Sequence, residues 1–239
     1  MKIAKFNGGL GDLVLCLDHM KQYDKVYLKS HQDDSSIQAL LMEVVEDLPS
    51  EVEIVDELPK EGVLLTPSKP YSDVIKKLRD RLAQYAPIYE TKTVLHPYGS
   101  KFANIYAHKN NLPYKVVSMD NIEKFLVYTA PNHYVLGSPD EMVHLGSQGV
   151  YVVQLTFQQQ LAAALWCKEL IAIDSFFKTL RLSAGLPTKV IIGDYPDPFR
   201  DAHFINPYIK DGLLTPYYYK DIEEFDIAVC LDKKELPSV

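Results

Sequence analysis

The stretch from Leu165 to Gly193, LWCKELIAIDSFFKTLRLSAGLPTKVIIG, constrains the fold more than any other part of this chain. Ile171 to Ile173 is a short apolar run that reads as a buried strand, and the polar pair Asp174-Ser175 breaks it where a helical pattern begins. Ser175 suits an N-cap. Leu180, Leu182 and Ala184 carry the helix towards Gly185, a C-cap residue, and Pro187 stops its continuation. Lys189 to Ile192 is a second apolar run closed by Gly193, so the order is strand, polar loop, helix, strand: a βαβ unit.

In such a unit a ligand sits beyond the carboxyl end of the first strand, where the helix N-terminus offers unpaired N–H groups and partial positive charge. A phosphate or diphosphate suits that position best. Asp174 and Ser175 are equally the residue types that cap helices, so the pair reads either as a cap or as an anion site.

The chain opens with a related arrangement. Lys2 to Phe6 reads as a strand and runs into Asn7-Gly8-Gly9-Leu10-Gly11-Asp12, after which Leu13, Val14, Leu15, Cys16, Leu17 and Met20 form a helix with a wide apolar face. Glycines at 8, 9 and 11 let the backbone turn sharply and approach a ligand where a Cβ would obstruct it. The spacing is neither a dinucleotide fingerprint nor a P-loop. Asp12 stands in the first helical turn at the mouth of a cleft, either as a carboxylate favoured by the helix dipole or as an acid–base group.

Further strands are predicted at 25–29, 51–55 and 63–66, and helices at 35–48 and 72–85. Strands alternating with helices at this pitch argue for a parallel sheet covered on both faces. Lys76, Lys77, Arg79 and Arg81 are the one candidate footprint for an anionic polymer, but Asp73 and Asp80 interrupt them and a solvated helix face is the alternative. Around Ala86-Pro87 the pattern restarts, which places a linker there and divides the chain into 1–88, 89–215 and a C-terminal segment 216–239.

In the second half a strand at 91–95 leads to His96-Pro97-Tyr98-Gly99-Ser100-Lys101, where Ser100 and Lys101 could offer a hydroxyl and a cation to phosphate oxygens. A helix is expected at 120–128, a strand at 133–136, a loop from Gly137 to Glu141, a short strand or loop at 150–153 and a helix at 157–167, with Trp166 in the core. Beyond Gly193 come a turn-rich loop, three adjacent tyrosines at 217–219 that suggest packing, and a helix near 221–231 that could cross back to the first domain.

With 239 residues, 47% apolar and 24% charged, the chain is an ordinary globular protein long enough for one large core or two smaller ones. No apolar run is long enough for a membrane span and no secretory pattern opens the chain, so a cytoplasmic location is expected. Its three cysteines lie far apart without CxxC spacing, which suggests neither disulfides nor a zinc site. A net charge of -7 disfavours nonspecific attraction to nucleic acid.

Taken together, these residues resemble the heptosyltransferase-like glycosyltransferases of the GT-B fold. Gly9-Leu10-Gly11-Asp12 after the first strand is similar to that family's N-terminal signature, where the aspartate faces the acceptor as general base. Thr93 to Lys101 is similar to the start of its second domain, Gly137 to Glu141 to a glycine loop whose glutamate holds the nucleotide ribose, and Asp174-Ser175 with its helix to the donor signature. Phe176 stands where the family has glycine and Thr179 where it has histidine; Lys178 is the cation that could compensate.

The resemblance implies an α/β, GT-B-like fold: two Rossmann-like domains with parallel sheets facing a cleft, the first one shortened, acceptor-side in 1–88 and nucleotide-sugar-binding in 89–215. It implies metal-independent transfer of a sugar from a nucleotide-sugar to an acceptor hydroxyl. Asp12 would be the base, and Gly9, Gly11, Ser100, Lys101, Gly137, Glu141, Asp174, Ser175, Lys178 and Thr179 would bind the donor. No cofactor beyond the nucleotide-sugar substrate is implied. The acceptor would be a glycan or another hydroxyl compound, with a hydroxymethylated base in viral DNA as one alternative and a non-catalytic nucleotide-sugar-binding protein as the other. Domain closure about the linker near Pro87 would exclude water.

Overall fold

The computed structural model describes residues 1–30, 34–49, 51–67, 70–99, 116–193, 200–219 and 225–231. Its first sheet comprises β1 (Ile3–Gly8), β2 (Lys25–Ser30), β3 (Glu51–Ile54) and β4 (Val63–Leu64), in the order β3-β2-β1-β4. The second comprises β5 (Thr93–His96), β6 (His133–Val135), β7 (Glu169–Ile173), β8 (Thr188–Gly193) and β9 (Leu214–Tyr219), in the order β6-β5-β7-β8-β9. Every pairing within these two sheets is parallel. The α/β architecture with two parallel sheets is therefore the one predicted, and the Leu165–Gly193 stretch is a βαβ unit at the centre of the second sheet.

Each sheet reverses its strand order once. In the first, β2 and β4 flank β1; in the second, β5 leads outward to β6 while β7 leads the other way to β8 and β9. Crevices open at the carboxyl ends of strands at such reversals. The reversal in the second sheet lies between His96, which ends β5, and Asp174-Ser175, which follows β7.

Helices α1 (Leu10–Met20), α2 (Asp34–Val44), α3 (Asp73–Arg81) and α4 (Ala86–Tyr89) belong to the first half. The second half carries α5 (Met119–Thr129), α6 (Pro139–Ser147), α7 (Phe157–Trp166), α8 (Phe176–Ser183) and α9 (Asn206–Lys210). Two of these helices are buried on all sides. Leu13 through Leu17 are five consecutive buried residues of α1, and Phe177 through Ser183 are all buried in α8. A helix buried all round has to lie between layers. The two lie against each other, each also facing its own sheet, and one apolar cluster runs from Ala4, Phe6, Val26 and Leu28 through Leu13, Leu17, Phe177 and Leu180 to Leu170 and Ala172.

The buried polar residues of α8 are satisfied internally. Arg181 donates to the carbonyls of Pro187 at 2.8 Å, Ala164 at 2.7 Å and Cys167 at 3.1 Å, closing the C-terminal end of α7 with a cation.

Several sequence expectations need correcting. The region around Ala86-Pro87 is helical, with Pro87 tolerated in the first turn of α4, where its missing N–H costs nothing. The segment at 150–153, read as a short strand or a loop, is a loop. The described residues of the C-terminal segment pack with the second half: β9 extends the second sheet, and the short turn of helix Ile227–Leu231 buries Ile227 and Cys230 in a cluster with Leu95, Phe125 and Ile191. Asn121 holds it there, donating to the Phe225 carbonyl at 2.7 Å and accepting from the Ile227 amide at 2.7 Å. Trp166 is half-buried between the halves: Arg79 stacks 4.0 Å from its ring centroid, and its indole N–H donates to the Arg79 carbonyl at 3.0 Å.

The basic face of α3 is likewise used within the chain. Lys77 and Arg81 each reach the carboxylate of Asp47 at 2.8 Å, Lys21 stands 3.7 Å from it, and Lys76 pairs with Asp73 at 3.1 Å. Burial opposes ionisation of Asp47, but the hydrogen bonds from Lys77 and Arg81 outweigh it and hold the carboxyl below its ordinary 3.8. A carboxyl lowered by folding adds stability above pH 3.8 and loses it as the pH falls through the folded value. Asp47→Asn is therefore expected to lower the urea midpoint at pH 7, with the deficit shrinking below about pH 3.8; equal midpoints at pH 7 would show that the cluster contributes nothing.

Candidate functional site

The first half brings Gly9 and Asp12 to the carboxyl end of β1. Gly9 is the extended N-cap of α1, and its N–H donates to Asp12 Oδ2 at 2.8 Å, so the carboxylate closes the first turn of the helix. Gly11 faces the other half. A Cβ built on it would lie 3.4 Å from Thr179 Oγ1, in van der Waals contact with α8. Asp12 is thus one residue from the contact between the halves.

Across that contact, the loop from β7 to α8 carries the predicted donor residues. Ser175 occupies the N-cap of α8, yet its hydroxyl makes no capping hydrogen bond to the helix. It lies instead 2.7 Å from Nδ1 of His96, spanning the strand reversal between β5 and β7. Ser175 therefore does not cap the first amides of α8, and a helix N-terminus of this kind suits an anion.

His96 was not singled out from the sequence. Its ring sits edge-on to Phe177 at 4.8 Å, and burial pushes its pKa down to about 3, so the imidazole is neutral at ordinary pH. The only signal available was its place as the last residue of a strand beside the βαβ unit.

Lys178 does not stand as a lone cation. It is 1% exposed and pairs with Asp174 at 2.8 Å, donates to the Phe204 carbonyl at 3.3 Å and lies 5.1 Å from the Phe204 ring centroid. Helical spacing of four residues brings the pair together on one face. Thr179 returns its hydroxyl proton to the Ser175 carbonyl at 3.3 Å and meets Gly11. Phe176 turns into the shared core, stacked on Phe157 at 6.2 Å with the rings 13° apart.

The stretch Gly137 to Glu141, expected as a loop, enters α6. Ser138 is the N-cap, and Glu141 reaches back to accept from the Ser138 amide at 2.6 Å, a capping box. Burial pushes the Glu141 pKa up, against the lowering effect of its Ser138 hydrogen bonds. Gly137 is held by buried Gln160, which accepts from its N–H at 3.2 Å and donates to its carbonyl at 2.9 Å. A Cβ on Gly137 would fall 2.4 Å from Met142 Cε and 3.1 Å from Glu141 Oε2. A larger residue here would have to displace the ends of both side chains. Gln160 is a second residue missed from sequence, where it reads as one of three glutamines on a helix.

The structure therefore brings Gly9, Gly11 and Asp12 to the same junction as Asp174, Ser175, Lys178 and Thr179, with Gly137 and Glu141 at the neighbouring strand end beyond β5. Ser100 and Lys101 lie outside the described residues. Among the described residues, no three His, Cys, Asp or Glu side chains converge as metal ligands, and no helix is long and apolar enough to cross a membrane.

No protein-family model matches the chain, and no curated protein matches it. Among solved structures, the chain is similar to the glycosyl transferase family 9 crystal structure from Veillonella parvula DSM 2008. That likeness is at 13% identity with a TM-score of 0.45, covering 97% of this chain and 89% of that one. Likeness at this level assigns no residue and no activity here.

The depressed pKa of His96 has a measurable consequence. The unfolded imidazole takes up a proton near 6.5 while the folded one resists until about 3, so stability is present above pH 6.5 and drains away as the pH falls between those values. The slope contributed is at most about 1.4 kcal/mol per pH unit. His96→Asn, which keeps a polar atom for Ser175, is expected to flatten the acid limb of a denaturation series between pH 6 and 4. An unchanged slope would place the responsible proton elsewhere.

Proposed function

We propose that this chain is a glycosyltransferase moving a sugar from a nucleotide-sugar to the hydroxyl of a glycan or another small acceptor, without a metal ion in the step. One observation carries the reading: the Gly9–Asp12 turn after β1 and the start of α8 after β7 meet at Gly11 and Thr179. That contact supports a base from the first half acting with an anion-binding helix end from the second, the two groups that metal-independent transfer to a hydroxyl would use.

In the proposed step the acceptor oxygen attacks the anomeric carbon while its proton passes to the Asp12 carboxylate. The bond from that carbon to the diphosphate oxygen breaks, and the electron pair leaves with the nucleoside diphosphate. The carboxylate is a weak base, so proton transfer accompanies formation of the carbon–oxygen bond, when the hydroxyl becomes acidic. The departing diphosphate gains charge, which the first amides of α8 and the Ser175 hydroxyl stabilise, with Ser100 and Lys101 assigned to the same role. Asp174 accepts from a donor hydroxyl while Lys178 balances its charge, and Glu141 accepts from the ribose. Gly9 and Gly11 keep the turn close to the ligand, and Gly137 keeps the ribose side open.

Nothing about α3 favours DNA as acceptor, because Lys77 and Arg81 are already engaged by Asp47. A second reading, a nucleotide-sugar-binding protein without chemistry, draws on the engagement of Asp12 as a cap and of Lys178 by Asp174.

A thermal-shift panel of nucleotide-sugars identifies the donor, because a ligand bound to the native state raises its melting temperature. With that donor, Asp12→Asn should retain the cap and the donor affinity while transfer falls by about 10²-fold or more. Asp12→Ala should lose transfer and also about 1 kcal/mol of stability with the cap. Wild-type turnover by Asp12→Asn would remove Asp12 from the chemistry. Donor binding by the wild type with neither transfer nor hydrolysis would favour the second reading. Asp174→Ala should weaken donor binding in calorimetry, and unchanged affinity would reduce Asp174 to a structural partner of Lys178.

A further inference from the structure

Tyr98 lies two residues beyond β5, bridged to Val116, and belongs to the same buried cluster as Leu95, Val117, Met142 and Leu145. The residue is 7% exposed, and its hydroxyl is buried without any hydrogen-bond partner. Orphaned buried hydroxyls are uncommon because each forfeits its hydrogen bonds to water on folding. A ligand oxygen that reaches this hydroxyl would supply the bond the protein does not.

The surroundings of that hydroxyl point to the ligand's chemistry. Strands β5 and β6 run in register, Leu95 opposite Val135, and the Leu136 amide donates to the Leu95 carbonyl at 2.8 Å. The chain leaving β5 at Tyr98 therefore runs beside the turn from Gly137 into α6. Met142 belongs to the cluster around Tyr98 and is also the residue against Gly137. Glu141 is near enough for its charge to add to the effect of burial, which pushes the Tyr98 phenol up to about 12 and keeps it protonated. A protonated phenol beside a carboxylate supplies one donor and one acceptor. The carboxylate repels a phosphate, whereas two adjacent hydroxyls fit both groups. Tyr98 follows the strand next to β7 and Glu141 the strand beyond it, so the pair lies one to two strand spacings from β7, about 5–10 Å, which is on the scale of the reach from a diphosphate to its ribose.

We propose that Tyr98 is a nucleotide-binding residue whose hydroxyl donates to one ribose oxygen while Glu141 accepts from the neighbouring ribose hydroxyl. The proposal rests on the nucleotide-sugar reading, in which Glu141 already meets the ribose, and adds Tyr98 as a second ribose-binding residue. Binding then satisfies a group that the free protein leaves unsatisfied. Tyr98→Phe should consequently weaken ligand binding without lowering the stability of the free protein, a combination that a merely structural tyrosine would not give.

The test compares wild type and Tyr98→Phe by calorimetry with ribonucleoside diphosphates, their 2′-deoxy counterparts and the matching nucleotide-sugars, alongside melting temperatures without ligand. The expected result is a loss of about tenfold or more in affinity for the ribonucleotide, little further loss for the deoxy compound, and an unchanged or raised melting temperature. Equal ribonucleotide affinity in the two proteins would overturn the role of Tyr98 and leave the nucleotide-sugar reading standing. A loss confined to the nucleotide-sugar would overturn the ribose assignment in favour of the transferred sugar. A lowered melting temperature would show that the hydroxyl has a protein partner after all. Failure of the wild type to bind any of these compounds would overturn both the inference and the reading beneath it.

Discussion

Helix α1 has no polar face through its middle, and the rest of the molecule follows from where such a helix can go. Leu13, Val14, Leu15, Cys16 and Leu17 are all buried, so covering one side of the first sheet cannot satisfy it. It needs a second apolar layer, and α8 supplies that layer from the other half of the chain. Because each helix follows the strand beside its sheet's reversal, pressing one helix on the other also brings the two strand ends together. The site is thus a by-product of core packing. Gly11 against Thr179 marks where the packing reaches the rim.

At that rim most polar side chains already have internal partners. Asp12 accepts from the Gly9 amide, Asp174 and Lys178 hold each other, Ser175 and His96 share a hydrogen bond, and Glu141 caps α6. Ligand binding at such a site is an exchange, and its net free energy is the small difference between bonds made and bonds surrendered. Two features lie outside that exchange. Ser175 does not cap the start of α8, and the Tyr98 hydroxyl has no partner. A ligand gains most where it gives up least, so under the proposed reading these two positions are where a nucleotide's phosphate and ribose would gain most.

The sequence was most legible where local chemistry and the overall fold agree. The βαβ unit from Leu165 to Gly193 combines apolar strand runs with helix-stopping Gly185 and Pro187, and it stands as read. Gly137 to Glu141 read as a loop because Ser138-Pro139 looks like a break, although Ser at an N-cap, Pro at the first helical position and Glu three residues on are also the marks of a helix start. His96 and Gln160 were illegible for a different reason. Their roles depend on strand order, since His96 meets Ser175 only because β5 pairs with β7, and no local pattern reports that pairing. The partner of Lys178 was not legible because the sequence presents a charge without showing which way it faces. The helix turned it inward to Asp174.

The shared core also bears on how such a site would keep water out. The linker near Pro87 suggested closure of one domain on the other, but α4 makes that stretch helical, and the halves are joined through Leu13, Val14, Leu17, Phe177 and Leu180. Exposing a buried Leu or Phe costs roughly 1.5–3 kcal/mol. Prising five of them apart would cost about 10 kcal/mol, on the order of the whole stability of a domain. Arg79 stacked on Trp166 and the Ser72 amide bonded to the Ser183 carbonyl at 2.9 Å tie the same junction from the side of α3. A hinge through this core is therefore not an economical route to a dry site. Under the proposed reading the acceptor has to approach along the rim of the α1–α8 contact, where the fixed position of Asp12, rather than a closing domain, selects which hydroxyl is within reach.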